Sequence, residues 1–556
     1  MYSEKDYSRV SVLIVGAGPA GLAAAISLKT RRLDLDVCVI DKADKPGNHN
    51  LSGAVLEIQP LHDLLDHYDP KWPEHEQAKH TFERTVEQDD VRFFLGRNLA
   101  FCVSPMITMA KWLHLGFGQM IHKGDYIVSV SKLTAWLSRV AKDLGVEVIH
   151  GFSAADILVD PATGRASGVK LVDQGLDHEG RPQRNYVPGE TISADLVILA
   201  EGCDGLLTEK YIEKAGLQRE ANKLFSVGAK ELIEVTPQQY EQFGDHRVVH
   251  AMGWPIWTPL IGPGIFGGGI MYAFGKNQIA VGMIVGADWK YYDFNPQEAL
   301  VRFKQHKFVK QFIDGGTVVE AGAKMIPEGG YYAIPRDPQT NTIGKSNVLI
   351  IGDSAGFVNM LKIKGLHNAI ASGDIAGQAA AQTLHAPDQA ARTYTQMLDA
   401  SSVNREMYSA RKYRQTVAKL GNAIGFPVST LGPLLPRFHV ERDFEAMTTA
   451  SYKFHLDAPF DKDSFTAMAG VKHREDQPCH CQVRDPEICQ RECLPRFHQP
   501  CIRFCPAGVY EVIQDRMKPA NPSNCLHCKT CQNKCPFDNL RWTVPEGAGG
   551  PGYRNM

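Results

Sequence analysis

The sequence predicts a mixed α/β protein, with α+β character in how its elements are distributed along the chain. Three observations carry that prediction. An apolar strand runs into a glycine-rich turn at Gly16; two later apolar strands end in Gly/Asp turns near residues 201 and 352; and ten of the 13 cysteines fall between Cys479 and Cys535. With 556 residues the chain can bury several cores, so roughly two to four domains are expected.

The first element is VSVLIV, residues 10 to 15, a continuous apolar run suited to a buried parallel strand. It leads into Gly16-Ala17-Gly18-Pro19-Ala20-Gly21 and the helix-like LAAAISLKTRR; a second apolar strand, VCVI, ends at Asp41, 20 residues past Gly21. Gly16 permits a tight turn, Gly18 lets the backbone approach a pyrophosphate, and Gly21 lets the helix pack on its strand. The helix N-terminus then faces the phosphates, and Asp41 can accept hydrogen bonds from a ribose. This pattern suits NAD and FAD alike.

Later segments separate the two. DLVILAEGCDG (195 to 205) and VLIIGDSAGF (348 to 357) are each an apolar strand entering a Gly/Asp turn. The second precedes the small-residue stretch GLHNAIASGDIAGQAAAQTL, so Asp353 can hold a sugar-alcohol hydroxyl while the next helix directs its dipole at a flavin ring. The three strand-ends together resemble the FAD superfamily that includes glutathione-reductase-like enzymes and aromatic hydroxylases, which favours FAD. A second GxGxxG, Gly262 to Gly267, leads into the strand-like IMYAF and lacks the helix the motif needs, so no separate nicotinamide site is expected.

The tail reads as a metal site. Cys525, Cys528, Cys531 and Cys535-Pro536 match C-x2-C-x2-C-x3-C-P, in which three close cysteines hold one [4Fe–4S] cubane. Zinc sites prefer two pairs with a longer insert. The fourth ligand must come from elsewhere: Cys505, also followed by proline, or Cys535, which in two-cluster ferredoxins serves the other cluster. One cluster with spare thiols is the simpler expectation. Cys489, Cys493, Cys501 and Cys535 are the candidates for a second, with Cys479 and Cys481 left over.

Bulk properties bound the partners. A formal net charge of -2 argues against nucleic acid, and the N-terminus has no basic, then apolar, secretory pattern. The uncharged stretches 253 to 275 and 420 to 436 are interrupted by prolines and are not expected to span a bilayer. The second is flanked by Arg405, Arg411, Lys412, Arg414, Lys419, Arg437 and Arg442, and suits either a bilayer interface or a packed loop.

Taken whole, the chain resembles the electron-transfer flavoprotein:ubiquinone oxidoreductase family. The matching stretches, in order from residue 10 to 553, are GAGPAGLAAA, NLSGAVLE, GDYIVSVSKLTAWL, LGVEVIHGF, ILAEGCDG, VGAKEL, AMGWP, KIKGLHNAIASG, RFCPAGVYE, NCLHCKTC and VPEGAGGPGY. The resemblance implies an FAD-binding Rossmann-like domain of the glutathione-reductase/hydroxylase type (1 to 220 and 330 to 400) and an interleaved β-rich ubiquinone-binding domain (221 to 329). It further implies a helical linker region (401 to 470) and a C-terminal ferredoxin-like [4Fe–4S] domain (471 to 556). FAD would lie on Gly16, Gly18, Gly21, Asp41 and Asp353, the cluster on Cys505, Cys525, Cys528 and Cys531, and quinone beside Gly267 and Gly268. Expected partners are an electron-transfer flavoprotein, a quinone and the surface of an inner membrane, bacterial or mitochondrial, held without a spanning helix. Mammalian members lack most of the cysteines from Cys479 to Cys501 and also Cys535, and carry Cys and Pro at the positions of Asp353 and Ala355. A flavin/iron–sulfur subunit of a bifurcating complex, an FAD-dependent prenyl-lipid reductase and a zinc-bound docking module are the rival readings.

Overall fold

In a computed structural model, residues 9 to 556 are described except 52, 54, 83, 114–115, 260–261, 430 and 457–459. Leu260, Ile261 and Thr430, within the two uncharged stretches, therefore lie outside the described residues. Two sheets organise the chain.

The first sheet is doubly wound. Its parallel core runs in the order Val348–Ile350, Thr191–Leu199, Arg9–Val15, Val37–Asp41, Glu147–His150, within eight strands in all. Val12, Leu13 and Ile14 are fully buried, as a strand covered on both faces requires. The helix Pro19–Arg31 starts with proline at its first position, where the missing N–H costs nothing. It packs on Leu366–Thr383 at very close range. A Cβ at Gly373 would stand 2.2 Å from the Ala20 carbonyl oxygen, and one at Gly377 would stand 2.5 Å from that of Ala24. Small residues at this crossing set the depth at which the two helices meet.

The second sheet has seven strands in the order Thr317–Pro327, Phe225–Glu234, Gln278–Gly286, Gly267–Phe274, Arg247–Gly253, Gln88–Leu95, Leu99–Cys102. All neighbours are antiparallel except Arg247–Gly253 with Gln88–Leu95. The hairpin Gln88–Cys102 thus leaves the N-terminal part of the chain to complete this sheet. Gly262 to Gly267 does lead into a strand, Gly267–Phe274, and not into a helix.

The cysteine-rich tail does not build a core of its own. Phe504, Tyr510, Leu526, Leu540, Trp542 and Tyr553 share one apolar cluster with Val227, Val281 and Met283 of the second sheet. Buried Lys534 donates to the carbonyls of Trp289 (2.7 Å) and Asp443 (2.8 Å). The Met556 main-chain oxygen accepts from Ser129 Oγ at 2.9 Å and Ser131 N at 3.0 Å, at the start of the helix Val130–Asp143. The tail is therefore fastened to both sheets.

Of the cations flanking residues 420 to 436, Arg414 faces inward. Its side chain is 1% exposed, pairs with Glu328 at 2.7 Å and Asp288 at 2.9 Å, and lies 4.2 Å over the Phe266 ring. Removing one partner of a buried pair strands the other charge. Arg414→Ala should therefore lower unfolding free energy by about 3–5 kcal/mol, measured as a shifted urea midpoint. Arg414→Lys should recover only part of it, because one ammonium cannot serve both carboxylates as the guanidinium fork does.

Candidate functional site

The glycine-rich turn is built as its sequence requires. Gly16 has φ +109°, and a Cβ there would stand 2.3 Å from the Ala200 carbonyl oxygen; one at Gly21 would stand 2.0 Å from that of Gly16. Gly18 is different: nothing lies closer than 3.8 Å to its virtual Cβ, so its bare backbone faces open space. Asp41 ends its strand with both carboxylate oxygens accepting backbone N–H groups, from Ala17 and Ala43, each at 2.7 Å. The acid thus ties the turn to the second strand and keeps lone pairs free for a sugar hydroxyl.

Gly16, Gly18 and Asp41, but not Gly21, border a cavity of about 330 Å³ that also takes in Glu201 to Cys203, Asp353 and Lys364 to Leu366. Asp353 lies in the short helix Gly352–Ala355, and burial pushes its carboxyl up to about 6, against the pull of Lys324. The sequence reading missed the cavity's charge. Lys42, Lys324 and Lys529, from three distant segments, converge on it. Burial and the other two lysines hold Lys42 down to about 7. His49 Nδ1 and His527 Nδ1, on the same wall, are buried without a partner. Clustered cations and an open Gly18 backbone fit a ligand carrying a pyrophosphate, and FAD satisfies that description.

The iron–sulfur residues meet this cavity directly. Leu526, His527 and Lys529, which stand between Cys525, Cys528 and Cys531, line it. Lys529 reaches back to donate to the Asp204 carbonyl. His527 and Lys529 adopt left-handed backbone (φ 56° and 60°), unusual for side-chain-bearing residues, and this alternation curls the loop about its thiols. Cys505 lies within electrostatic reach of Cys525 and Cys531, and Cys528 within reach of all three. His527 N–H donates to Cys525 Sγ at 3.4 Å, and Thr530 Oγ1 to Cys528 Sγ at 3.4 Å. Buried thiols served by N–H and O–H donors fit a [4Fe–4S] cluster held by Cys505, Cys525, Cys528 and Cys531. Cys481, which the spacing did not single out, stands beside this ring, with its Sγ 4.0 Å from that of Cys525.

Gly267 and Gly268 open the strand Gly267–Phe274. A Cβ at Gly267 would stand 2.0 Å from the Ile284 oxygen, and one at Gly268 2.5 Å from the Ala251 oxygen. Backbone packing alone therefore requires glycine at both positions, and neither lines the large cavity. The preceding residue, Phe266, packs with Val358 and Met360, which do line it.

One ion network holds the segment from Lys362 to His367, part of which lines the cavity. Lys362 bridges Glu57 (3.1 Å) and Glu406 (2.6 Å), Lys364 pairs with Glu57 and Asp125, and His367 Nε2 lies 2.8 Å from Glu406. Burial raises the Glu406 carboxyl, but His367 and Lys362 outweigh it and bring it down to about 2. A depressed carboxylate stabilises the fold above its unfolded value of 4.5 and loses that contribution as pH falls towards about 2. Thermal unfolding of Glu406→Gln followed from pH ~5 to ~2 should show a flatter acid limb than the parent. A second pair of variants separates the glycines. Gly18→Ala should leave apoprotein stability unchanged and weaken flavin binding at least about tenfold. Gly16→Ala should lower stability as well, because its backbone is left-handed and its Cβ has no room.

Comparison with known proteins bears on the whole chain. Residues 457–554 match the family model "Electron transfer flavoprotein-ubiquinone oxidoreductase, 4Fe-4S", residues 225–326 the model "ETF-QO, ubiquinone-binding", and residues 14–85 the model "NAD(P)-binding Rossmann-like domain". The chain is 35% identical to the mitochondrial electron transfer flavoprotein-ubiquinone oxidoreductase of Arabidopsis thaliana, over 98% of this chain and 84% of the relative. It is 34% identical to the Pseudomonas aeruginosa protein of that name over the full length of both. To the mitochondrial human one it is 31% identical, over 100% of this chain and 90% of the relative. Among solved structures, a geranylgeranyl bacteriochlorophyll reductase-like protein of Thermoplasma acidophilum aligns with TM-score 0.51 at 18% identity, covering 72% of this chain and 85% of that one, a likeness of fold alone. With relatives above 30% identity along its entire length, the chain belongs to the electron transfer flavoprotein-ubiquinone oxidoreductase family.

Proposed function

We propose that this chain accepts electrons from a reduced electron-transfer flavoprotein and delivers them to a quinone at a membrane surface. The observation that carries the reading is the loop between Cys525 and Cys531, whose intervening residues line the dinucleotide cavity. When bound, FAD couples one-electron to two-electron partners and a [4Fe–4S] cluster handles single electrons. The balance is simple: two electrons, one from each of two donor molecules, and two protons from solvent convert one quinone to its quinol.

The chain's own residues perform the remaining work. Gly18 brings backbone to the pyrophosphate while Gly16 makes the turn and Gly21 seats the helix on its strand, Asp41 fixes the turn and meets the ribose, and Asp353 holds a hydroxyl of the sugar chain. Lys42, Lys324 and Lys529 offset the negative charge brought into a poorly solvated space. Cys505, Cys525, Cys528 and Cys531 hold the cluster, and Lys529 keeps its loop against the cavity wall.

The quinone route is read from apolar continuity. Val358 and Met360 pass from the cavity to Phe266, and Phe266 stacks on Phe426 at 5.9 Å. Phe426 meets Trp257 at 5.8 Å and Trp257 meets Phe93 at 5.2 Å. Phe93 pairs across strands with exposed Phe101, and the helix Ser104–Trp112 that follows exposes Met106, Met109 and Trp112 (79% exposed). Phe426 lies in the helix Asn422–Ser429, which exposes Ile424, and exposed Leu431 and Leu434 (86% exposed) follow it. Gly267 and Gly268 follow Phe266 and belong to the same route. An apolar face with Lys412, Lys419 and Arg437 around it suits the boundary of an anionic bilayer. Among the described residues no helix is long and apolar enough to cross a membrane.

The test is anaerobic quinone reduction by reduced electron-transfer flavoprotein, with the quinone in vesicles of neutral and anionic phospholipid. Turnover of quinone supports the reading; turnover of a prenyl lipid with no quinone reduction overturns it. The double variant Trp112→Asp/Leu434→Asp should lose vesicle co-sedimentation at least about tenfold. It should still reduce a short-chain, water-soluble quinone at the parent rate.

A further inference from the structure

The tail carries a second ring of thiols that the cluster described above does not use. Cys489, Cys493, Cys501 and Cys535 line one small cavity with apolar walls, among them Ile488 and Met517. All four are buried. Asn539 serves two of them at once: its N–H donates to Cys535 Sγ at 3.3 Å and its Nδ2 to Cys489 Sγ at 3.2 Å. These are N–H···S bonds of the kind found at the first ring.

The two rings are related by an internal repeat. The short helix Cys501–Phe504 ends at Cys505 (φ -68°, ψ 119°), whose N–H bonds the Cys501 oxygen at 3.2 Å; Pro506 follows. The helix Thr530–Lys534 ends at Cys535 (φ -65°, ψ 116°), whose N–H bonds the Cys531 oxygen at 3.2 Å; Pro536 follows. Cys505 and Cys535 are thus equivalent positions of two half-units. Each half gives its last cysteine to the other's ring, the exchange seen in two-cluster ferredoxins.

The half containing Cys489 disguises this in sequence. Its ligand candidates are spaced C-x3-C-x7-C, against C-x2-C-x2-C in the other half. A π-helical turn, Cys489–Cys493, and two successive left-handed residues, His498 (φ 52°) and Gln499 (φ 53°), fold the longer spacing back onto one cavity. π-Turns and left-handed non-glycine residues carry strain and gather at functional sites.

The geometry points to a second [4Fe–4S] cluster held by Cys489, Cys493, Cys501 and Cys535. Zinc does not suit the ring. Zn–S bonds of about 2.3 Å put tetrahedral sulfurs about 3.8 Å apart. Among the described residues, no three of these four thiols lie within 4.8 Å of one another. A cubane, with metal and sulfide between its cysteines, needs the wider ring.

The inference concerns metal content alone and stands whether or not quinone is the acceptor. Full-length protein, prepared anaerobically and supplied with iron and sulfide, should contain about eight iron and eight acid-labile sulfide per flavin. Reduction should give magnetically interacting EPR signals. The double variant Cys489→Ala/Cys493→Ala should lose about half the iron while keeping its flavin and the spectrum of one isolated cubane. About four irons per flavin in the parent protein, stoichiometric zinc, or an unchanged iron count in the double variant would each overturn the second cluster. If the double variant does not fold, the iron-to-flavin ratio of the parent decides by itself.

Discussion

Everything functional in this molecule depends on one shared stretch of chain, the loop from Cys525 to Cys531. Its thiols face into the tail while Leu526, His527 and Lys529 face the dinucleotide cavity. A loop can hold that double position only if the tail cannot drift. The tail shares the apolar core of the second sheet, Lys529 and Lys534 are anchored on main-chain carbonyls, and the Met556 oxygen is bonded at the start of a helix on the first sheet. Separate cores joined by a linker would let the distance between two redox sites fluctuate; a common core fixes it.

The same constraint organises the electrostatics. Bringing the tail over the cavity sets Lys529 beside Lys42 and Lys324, and burial, reinforced by Lys529 and Lys324, lowers Lys42. An anionic ligand relieves that crowding of cations, so the cavity is charged in advance for what it binds. On the opposite side the molecule turns apolar, through Phe266, Phe426 and Trp257, to an outer surface bearing Trp112 and Leu434. The metal-binding loop and the apolar group around Phe266 therefore both meet the one cavity.

Much of this was legible in the residues, and what was not has a common cause. Gly16, Gly18, Gly21 and Asp41 could be read because strand, turn and helix are adjacent in sequence, and each glycine has the local steric reason the motif implies. Cys525, Cys528 and Cys531 could be read because their spacing is that of a known ligand run. Features that join distant segments could not. The parallel pairing of Gln88–Leu95 with Arg247–Gly253, the meeting of three lysines, and the approach of Cys481 to Cys525 leave no periodic trace. Arg414 could be read only as one of seven cations flanking an apolar stretch, since nothing nearby in sequence announces Glu328 and Asp288. Cys535 was ambiguous for a related reason: its equivalence to Cys505 appears only when the two short helices can be compared.

Iron-edge anomalous diffraction from crystals of the protein carrying flavin and iron tests the central claim most directly. The account predicts iron density enclosed by Cys505, Cys525, Cys528 and Cys531, with atoms of the dinucleotide touching the stretch Leu526 to Lys529. A dinucleotide seated away from that loop, or iron bound elsewhere with those four thiols bare, would contradict it.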